Sequence, residues 1–267
     1  MTIFEDIINR TVPDSLYHYT TSAGLMGIIH SSSIWCTHTQ YLNDTREFRH
    51  AIDLFIDEIN SRVEKRCKGH DFLTEVLTYA TDGMEVANVC VTSFSTKRDS
   101  LSQWRAYAAA PGGFAIGFSG AQLQSAVSEE GGQLLPCVYD EESQKAIVSE
   151  LVDVMLRENT LFGASVVIWS CAPIFKHSSF QDEEEWRFIT RPVSNHDEKY
   201  RFRPGTSMLI PYYSLKVAES ASELDINEII IGPTPNPVQS MHSAVSFCHK
   251  YGCKTTVINS DVPFRAW

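Results

Sequence analysis

Four short segments of this chain carry polar or aromatic side chains in strand-like settings, where a plain core would not need them. The most informative is Phe180-Gln181-Asp182-Glu183-Glu184-Glu185-Trp186-Arg187, whose four acids run into the apolar Phe188-Ile189. In extended backbone, alternate side chains share a face. Glu183, Glu185 and Arg187 are therefore expected on one side, with Glu184 and Trp186 on the other. Two carboxylates on one face repel each other, which is costly as structure alone. Such a pair is either an exposed, charged strand entry or a site that handles protons and positive charge.

The second segment is Tyr17-His18-Tyr19-Thr20, where His18 and Thr20 share one strand face and the two tyrosines share the other. His18 is either a hydrogen-bonded core histidine or a ligand-facing one. The third, Thr92-Ser93-Phe94-Ser95-Thr96, ends a strand in hydroxyl groups. The fourth pairs Trp104 with Tyr107, one helical turn apart and so on one face. Two aromatics at that spacing either pack in a core or clamp a flat ring.

The elements that must hold these residues follow from periodicity. Residues 15–20 form a strand, and Thr21 or Ser22 caps a helix through Ile29 with Leu25, Ile28 and Ile29 at helical spacing. Extended residues 34–37 lead to a turn at Asn43-Asp44. A long helix then spans 45–66, its face marked by Phe48, Ile52, Phe55, Ile56, Ile59 and Val63. A further helix covers 72–81. Residues 86–95 are β-branched and form a central strand. A short helix at 100–109 and Pro111-Gly112-Gly113 precede a strand at 114–118. The second half adds strands at 134–139, 186–190, 208–211, 226–231 and 254–258. Its helices cover 141–159, continued by 162–168, and 237–251. Long helices crowd the first half and strands the second, so the class is α+β. No repeat or linker divides the chain, so 1–267 is expected to be a single domain with a helical region at about 44–85.

Composition narrows the function. The chain has 267 residues, 43% hydrophobic and 21% charged, which is globular and neither disordered nor fibrous. No apolar run, the stretch 164–168 extended by Trp169 included, is long enough to cross a bilayer, and the N-terminal segment carries acids, so a soluble, cytoplasmic protein with no membrane partner is expected. With 22 Lys+Arg against 33 Asp+Glu the net charge is −11, which disfavours indiscriminate nucleic-acid binding. Two local basic groups remain. One is Arg62, Lys65, Arg66 and Lys68, read as surface charge. The other is Arg187, Arg191, Lys199, Arg201 and Arg203. Seven scattered cysteines without a CxxC pair indicate neither a disulfide framework nor a structural metal.

Taken together, LYHYT…GLMGII, IWCTHTQYLNDTREF, SFST…DSLSQWRAYA…GGFAIGF, EEEWRFI and the C-terminal VPFR resemble a bacterial family of unknown function that is similar to the ADP-ribosyltransferase superfamily. That resemblance implies a split β-sheet core that binds NAD as co-substrate without a metal. By the same resemblance, His18, with Tyr19 and Thr20, stands at the first motif and would bond a ribose. Ser93, Phe94 and Ser95 stand at the second motif. Trp104 or Tyr107 would stack on nicotinamide. Glu185 is similar to the catalytic glutamate, with Glu183 the first member of a Glu-x-Glu pair. The combination of a His-type first motif with a Glu-x-Glu third motif departs from the superfamily's usual pairing and leaves the subclass open.

The chemistry suits these residue types. Loss of nicotinamide develops an oxocarbenium-like cation on the ribose, which a carboxylate stabilises more in the transition state than in the ground state. Glu183 can orient or deprotonate the acceptor. The expected activity is NAD-dependent ADP-ribosylation of a macromolecule, with an RNA or DNA base first and protein close behind. Arg187, Arg201 and Arg203 would contact that substrate. The resemblance implies a toxin or phage-defence role, with an antitoxin as a possible partner. Alternatives are NAD hydrolysis with water as acceptor and a non-catalytic nucleotide sensor.

Overall fold

The sequence patterns resolve, in a computed structural model that describes residues 2–42, 45–83, 88–108 and 112–263, into nine α-helices and ten strands among those residues. The expected turn at Asn43-Asp44, the first residues of the 86–95 strand, Pro111 and the end of the VPFR motif lie outside them. In chain order the elements are α1 (Ile3–Ile8), β1 (Ser15–Thr20), α2 (Ser22–Ser31), β2 (Ser33–His38), α3 (Thr45–Glu64) and α4 (His70–Gly83). Next come β3 (Cys90–Ser95), α5 (Leu101–Tyr107), β4 (Phe114–Ser119), α6 (Gly120–Glu129), β5 (Gln133–Pro136), α7 (Glu141–Glu158) and α8 (Leu161–Cys171). The chain closes with β6 (Glu185–Ile189), β7 (Tyr200–Pro204), β8 (Leu209–Lys216), β9 (Ile226–Ile231), α9 (Pro237–Tyr251) and β10 (Thr256–Asn259).

The strands form one sheet in the order β10-β9-β4-β1-β3-β2-β8-β7, with β6 and β5 attached to β3 off this path. Among the strands of the described residues only the β9–β10 pair is parallel. A largely antiparallel sheet with helices laid against it is an α+β arrangement.

Helices cover both sides. On one, Leu25, Ile28 and Ile29 of α2, Leu123 and Val127 of α6 and Cys248 of α9 bury against Phe94, Phe118, Trp186 and Phe188. On the other, Ile52, Phe55 and Ile59 of α3 meet Leu73 and Val76 of α4, Val148 and Val152 of α7 and Ile168 of α8, closing over Val91 and Ile189. The helical region expected at 44–85 is therefore not self-contained, because its apolar stripe is completed by two helices from the second half. The expected continuation of 141–159 into 162–168 is broken by Asn159, which adopts φ 49° and starts α8 as a separate helix capped by Thr160. No helix of the described residues is long and apolar enough to cross a membrane.

Candidate functional site

The site is made by a division in the sheet. Strand β1 meets β3 at Tyr17↔Ser95, and β2 meets it at Thr37↔Val91 and His38↔Cys90. Between those contacts, Thr92-Ser93-Phe94 have no strand on that side. On the other side β3 pairs with β6 continuously from Val91↔Ile189 to Ser95↔Glu185. The gap opens a cleft of about 230 Å³ lined by Tyr17, His18, Tyr19, Trp35, Thr37, Tyr41, Ser93, Phe94, Gln103, Tyr107, Glu183, Glu185, Arg187 and Arg203, among others.

His18 fills the place of the missing ladder bond. Its Nδ1 lies 3.0 Å from the Ser93 carbonyl oxygen, which only accepts, so Nδ1 carries the proton. Burial lowers the pKa of the ring below 6.5, against the opposing pull of that bond. The imidazole is thus neutral near pH 7, and Nε2 is left as an acceptor.

The same cleft is lined by two glutamates, Glu183 and Glu185. Glu183 ends a 3₁₀ turn, Ser178–Glu183, and Glu184 follows with φ 41° before β6 begins at Glu185. The extended stretch expected from Glu183 to Arg187 is thus shortened at its start: Glu183 reaches the cleft from a turn, not by strand alternation. Ser95 Oγ fixes that turn by donating to the Glu183 carbonyl at 2.6 Å. Glu184 points away, half-exposed, with Lys97 Nζ at 2.7 Å and Thr96 Oγ1 hydrogen-bonded to it.

A buried lysine joins the pair. Lys176, with a fully buried side chain, places Nζ 2.7 Å from Glu183 Oε2 and 2.6 Å from Glu185 Oε2. Arg187 adds a two-pronged bond to Glu185, Nε to Oε1 at 2.6 Å and Nη2 to Oε2 at 3.1 Å, while its Nη1 donates to the Pro173 carbonyl. Burial alone would raise the Glu185 pKa, but Arg187 and Lys176 outweigh it and hold the carboxyl down to about 2. Desolvation pulls the Lys176 ammonium down, and the Glu185 charge more than restores it. Glu185 accepts at both oxygens, from Arg187 Nε at Oε1 and from Lys176 Nζ and Arg187 Nη2 at Oε2. The Tyr107 hydroxyl donates to Glu183 Oε2 at 3.2 Å.

The other sequence candidates divide clearly. Tyr19, Ser93, Phe94 and Tyr107 line the cleft with His18. Thr20 lines a second cavity of about 470 Å³, which shares His18, Trp35, Thr37, Tyr107 and Arg203 with the first. Ser95 is buried behind Glu183 and supports it instead of facing the cleft. Trp104 is a correction. It is 1% exposed, donates from Nε1 to Asp99 at 2.6 Å and packs edge-on against Tyr19 at 4.7 Å. Its ring belongs to the core, and of the two aromatics on α5 it is Tyr107 that lines the cleft.

The arginines divide as well. The Arg187 guanidinium is engaged by Glu185 and Pro173, so it orients the carboxylate instead of offering a free fork to substrate. Arg201 is exposed on β7, donates to the Glu198 carbonyl and lines neither cavity, whereas Arg203 lines both. Lys199, another of the basic group, is paired with Glu130. Among the described residues no cluster of His, Cys, Asp or Glu has the arrangement of a metal site.

Sequence reasoning did not find Lys176, Trp35, Thr37, Tyr41 or Gln103. For Lys176 a signal exists: it follows the apolar run Ala172-Pro173-Ile174-Phe175, and a lysine inside a buried segment needs an acidic partner nearby.

Among known proteins, a family described as a protein of unknown function, DUF2971, matches residues 103–188. That segment runs from Gln103 in α5 to Phe188 in β6 and holds Tyr107, Lys176, Glu183, Glu185 and Arg187. His18, Trp35 and Arg203 lie outside it. No curated protein and no solved structure matches the chain.

Proposed function

We propose that this chain is an NAD-dependent ADP-ribosyltransferase that modifies a macromolecule. The observation that carries the reading is the convergence of His18 with Glu183 and Glu185, far apart in sequence, on one cleft at the division of the sheet. A split NAD site of the ADP-ribosyltransferase type needs that convergence; an exposed strand entry does not.

In this reading His18 Nε2 accepts from a ribose hydroxyl, and Tyr107 stacks beside the nicotinamide. Glu185, kept ionised by Arg187 and Lys176, faces the ribose from the wall of the cleft. As the bond from the ribose anomeric carbon to nicotinamide breaks, its electron pair leaves with nicotinamide and positive charge grows on the sugar. A carboxylate fixed in a largely buried site stabilises that charge without reorganising. The acceptor atom then bonds to the same carbon, and its proton passes to Glu183, the less enclosed carboxylate. A nucleic-acid base is the leading acceptor, with protein next. A toxin or phage-defence setting follows from the family resemblance alone.

The experiment is incubation with NAD labelled in the adenylate half, with RNA, DNA or protein added separately. Nicotinamide release with label on one of them is the expected result. Release without label anywhere would make the protein a hydrolase, and binding without release a sensor.

A further inference from the structure

We infer that the second cavity takes the phosphate-bearing half of the co-substrate, with the Arg203 guanidinium as its phosphate clamp and the Trp35 ring as the face on which the base stacks. The inference rests on the dinucleotide reading above and deepens it.

Arg203 stands where the two cavities join. Its Nε is buried yet has no hydrogen-bond partner among the described residues, and Nη2 makes only a long 3.4 Å bond to Thr37 Oγ1. The contrast with Arg187, whose donors are taken by Glu185 and the Pro173 carbonyl, is the point. A planar guanidinium whose desolvated Nε–H is open and whose Nη2 is only weakly held can meet two phosphate oxygens at once, and it loses little entropy on binding them.

The surroundings suit a nucleotide. The start of α2 forms the floor, where the Thr21 side chain accepts from the Gly24 N–H at 3.1 Å. A Cβ built at Gly27 would meet nothing within 4 Å, so the floor is open there, and the N-terminal end of the helix adds positive potential. Trp35 is 48% exposed and backed by Tyr212, ring centroids 4.6 Å apart at 32°, which braces one face and leaves the other to the cavity. His18 borders both cavities. A dinucleotide with its reactive ribose at Glu185 therefore passes His18 and brings its diphosphate to Arg203. A nucleic-acid acceptor also carries phosphates, but its chain would need an open track, and the exposed Arg201 next along β7 faces neither cavity.

The test titrates ADP and adenosine into the wild-type protein, Arg203→Met, Arg203→Lys and Trp35→Ala, with folding checked by circular dichroism. ADP should bind the wild type. Arg203→Met should weaken ADP about tenfold or more and adenosine little, because only the phosphate contact is lost. Arg203→Lys should recover part of the affinity, as a charge without the fork. Trp35→Ala should weaken both ligands alike. Equal ADP affinity in wild type and Arg203→Met, or no ADP binding to the wild type, overturns the inference. So does an Arg203→Met protein that keeps ADP but loses RNA. Failure of the transferase reading shows separately, as no nicotinamide release by the wild type.

Discussion

The Nδ1 of His18 lies 3.0 Å from the carbonyl oxygen of Ser93, in the stretch of β3 that has no strand partner on that side. One contact thus closes a broken ladder, fixes the imidazole tautomer and leaves Nε2 as an acceptor at the cleft. Few arrangements could do all three, since the ring must enter from a strand that has just left its neighbour.

His18→Ala should therefore weaken NAD binding about tenfold or more while lowering stability by only ~1 kcal/mol, the usual net worth of one hydrogen bond. Isothermal titration and urea unfolding check the two halves. Because burial holds the ring pKa below 6.5, wild-type affinity should stay level from pH 8 to 7 and fall on acidification below 6.5. Loss of stability with unchanged NAD affinity would make His18 a core residue.

Lys176 carries a different expectation, because it is buried between two carboxylates. Lys176→Met leaves Glu183 and Glu185 with one ammonium fewer, and breaking a buried pair by removing one partner costs about 3 kcal/mol or more. The pH dependence has a definite sign. The folded-state pKa of Glu185, about 2, lies below the ordinary 4.5, so its contribution to stability is complete above pH 4.5 and drains away as pH falls towards 2. Without Lys176 that pKa rises, and the acid-unfolding midpoint should move to higher pH. Acid titration followed by circular dichroism reads this directly; an unmoved midpoint would mean Arg187 suffices by itself.

The fold was legible where local pattern decides. The apolar stripe from Phe48 to Val63 implied a helix at 45–66 and appears as α3, Thr45–Glu64, while 237–251 coincides with α9. The site was legible in part: His18, Tyr107, Glu183 and Glu185 meet at one cleft. What escaped depends on long-range pairing. Trp35 and Arg203 reach the cleft only because β2 lies on β8 and β7 on β8, registers that no local spacing encodes. Trp104 and Tyr107 share a helical face, yet three residues of separation suffice to put one ring in the core and the other at the cleft. The left-handed Glu184 likewise interrupts an alternation that looked continuous.

Glu185 bears the central claim, and nicotinamide release by Glu185→Gln is the measurement that tests it most directly. The substitution keeps shape but strips the charge that faces Arg187 and Lys176, so stability should fall and the rate must be taken per folded molecule. Glu184→Gln is the control, since its half-exposed pair with Lys97 has no contact with the cleft. The account predicts a drop of about a hundredfold or more for Glu185→Gln, as expected when a transition-state charge loses its fixed partner, with Glu184→Gln at the wild-type rate. A folded Glu185→Gln protein that releases nicotinamide as fast as the wild type would contradict it.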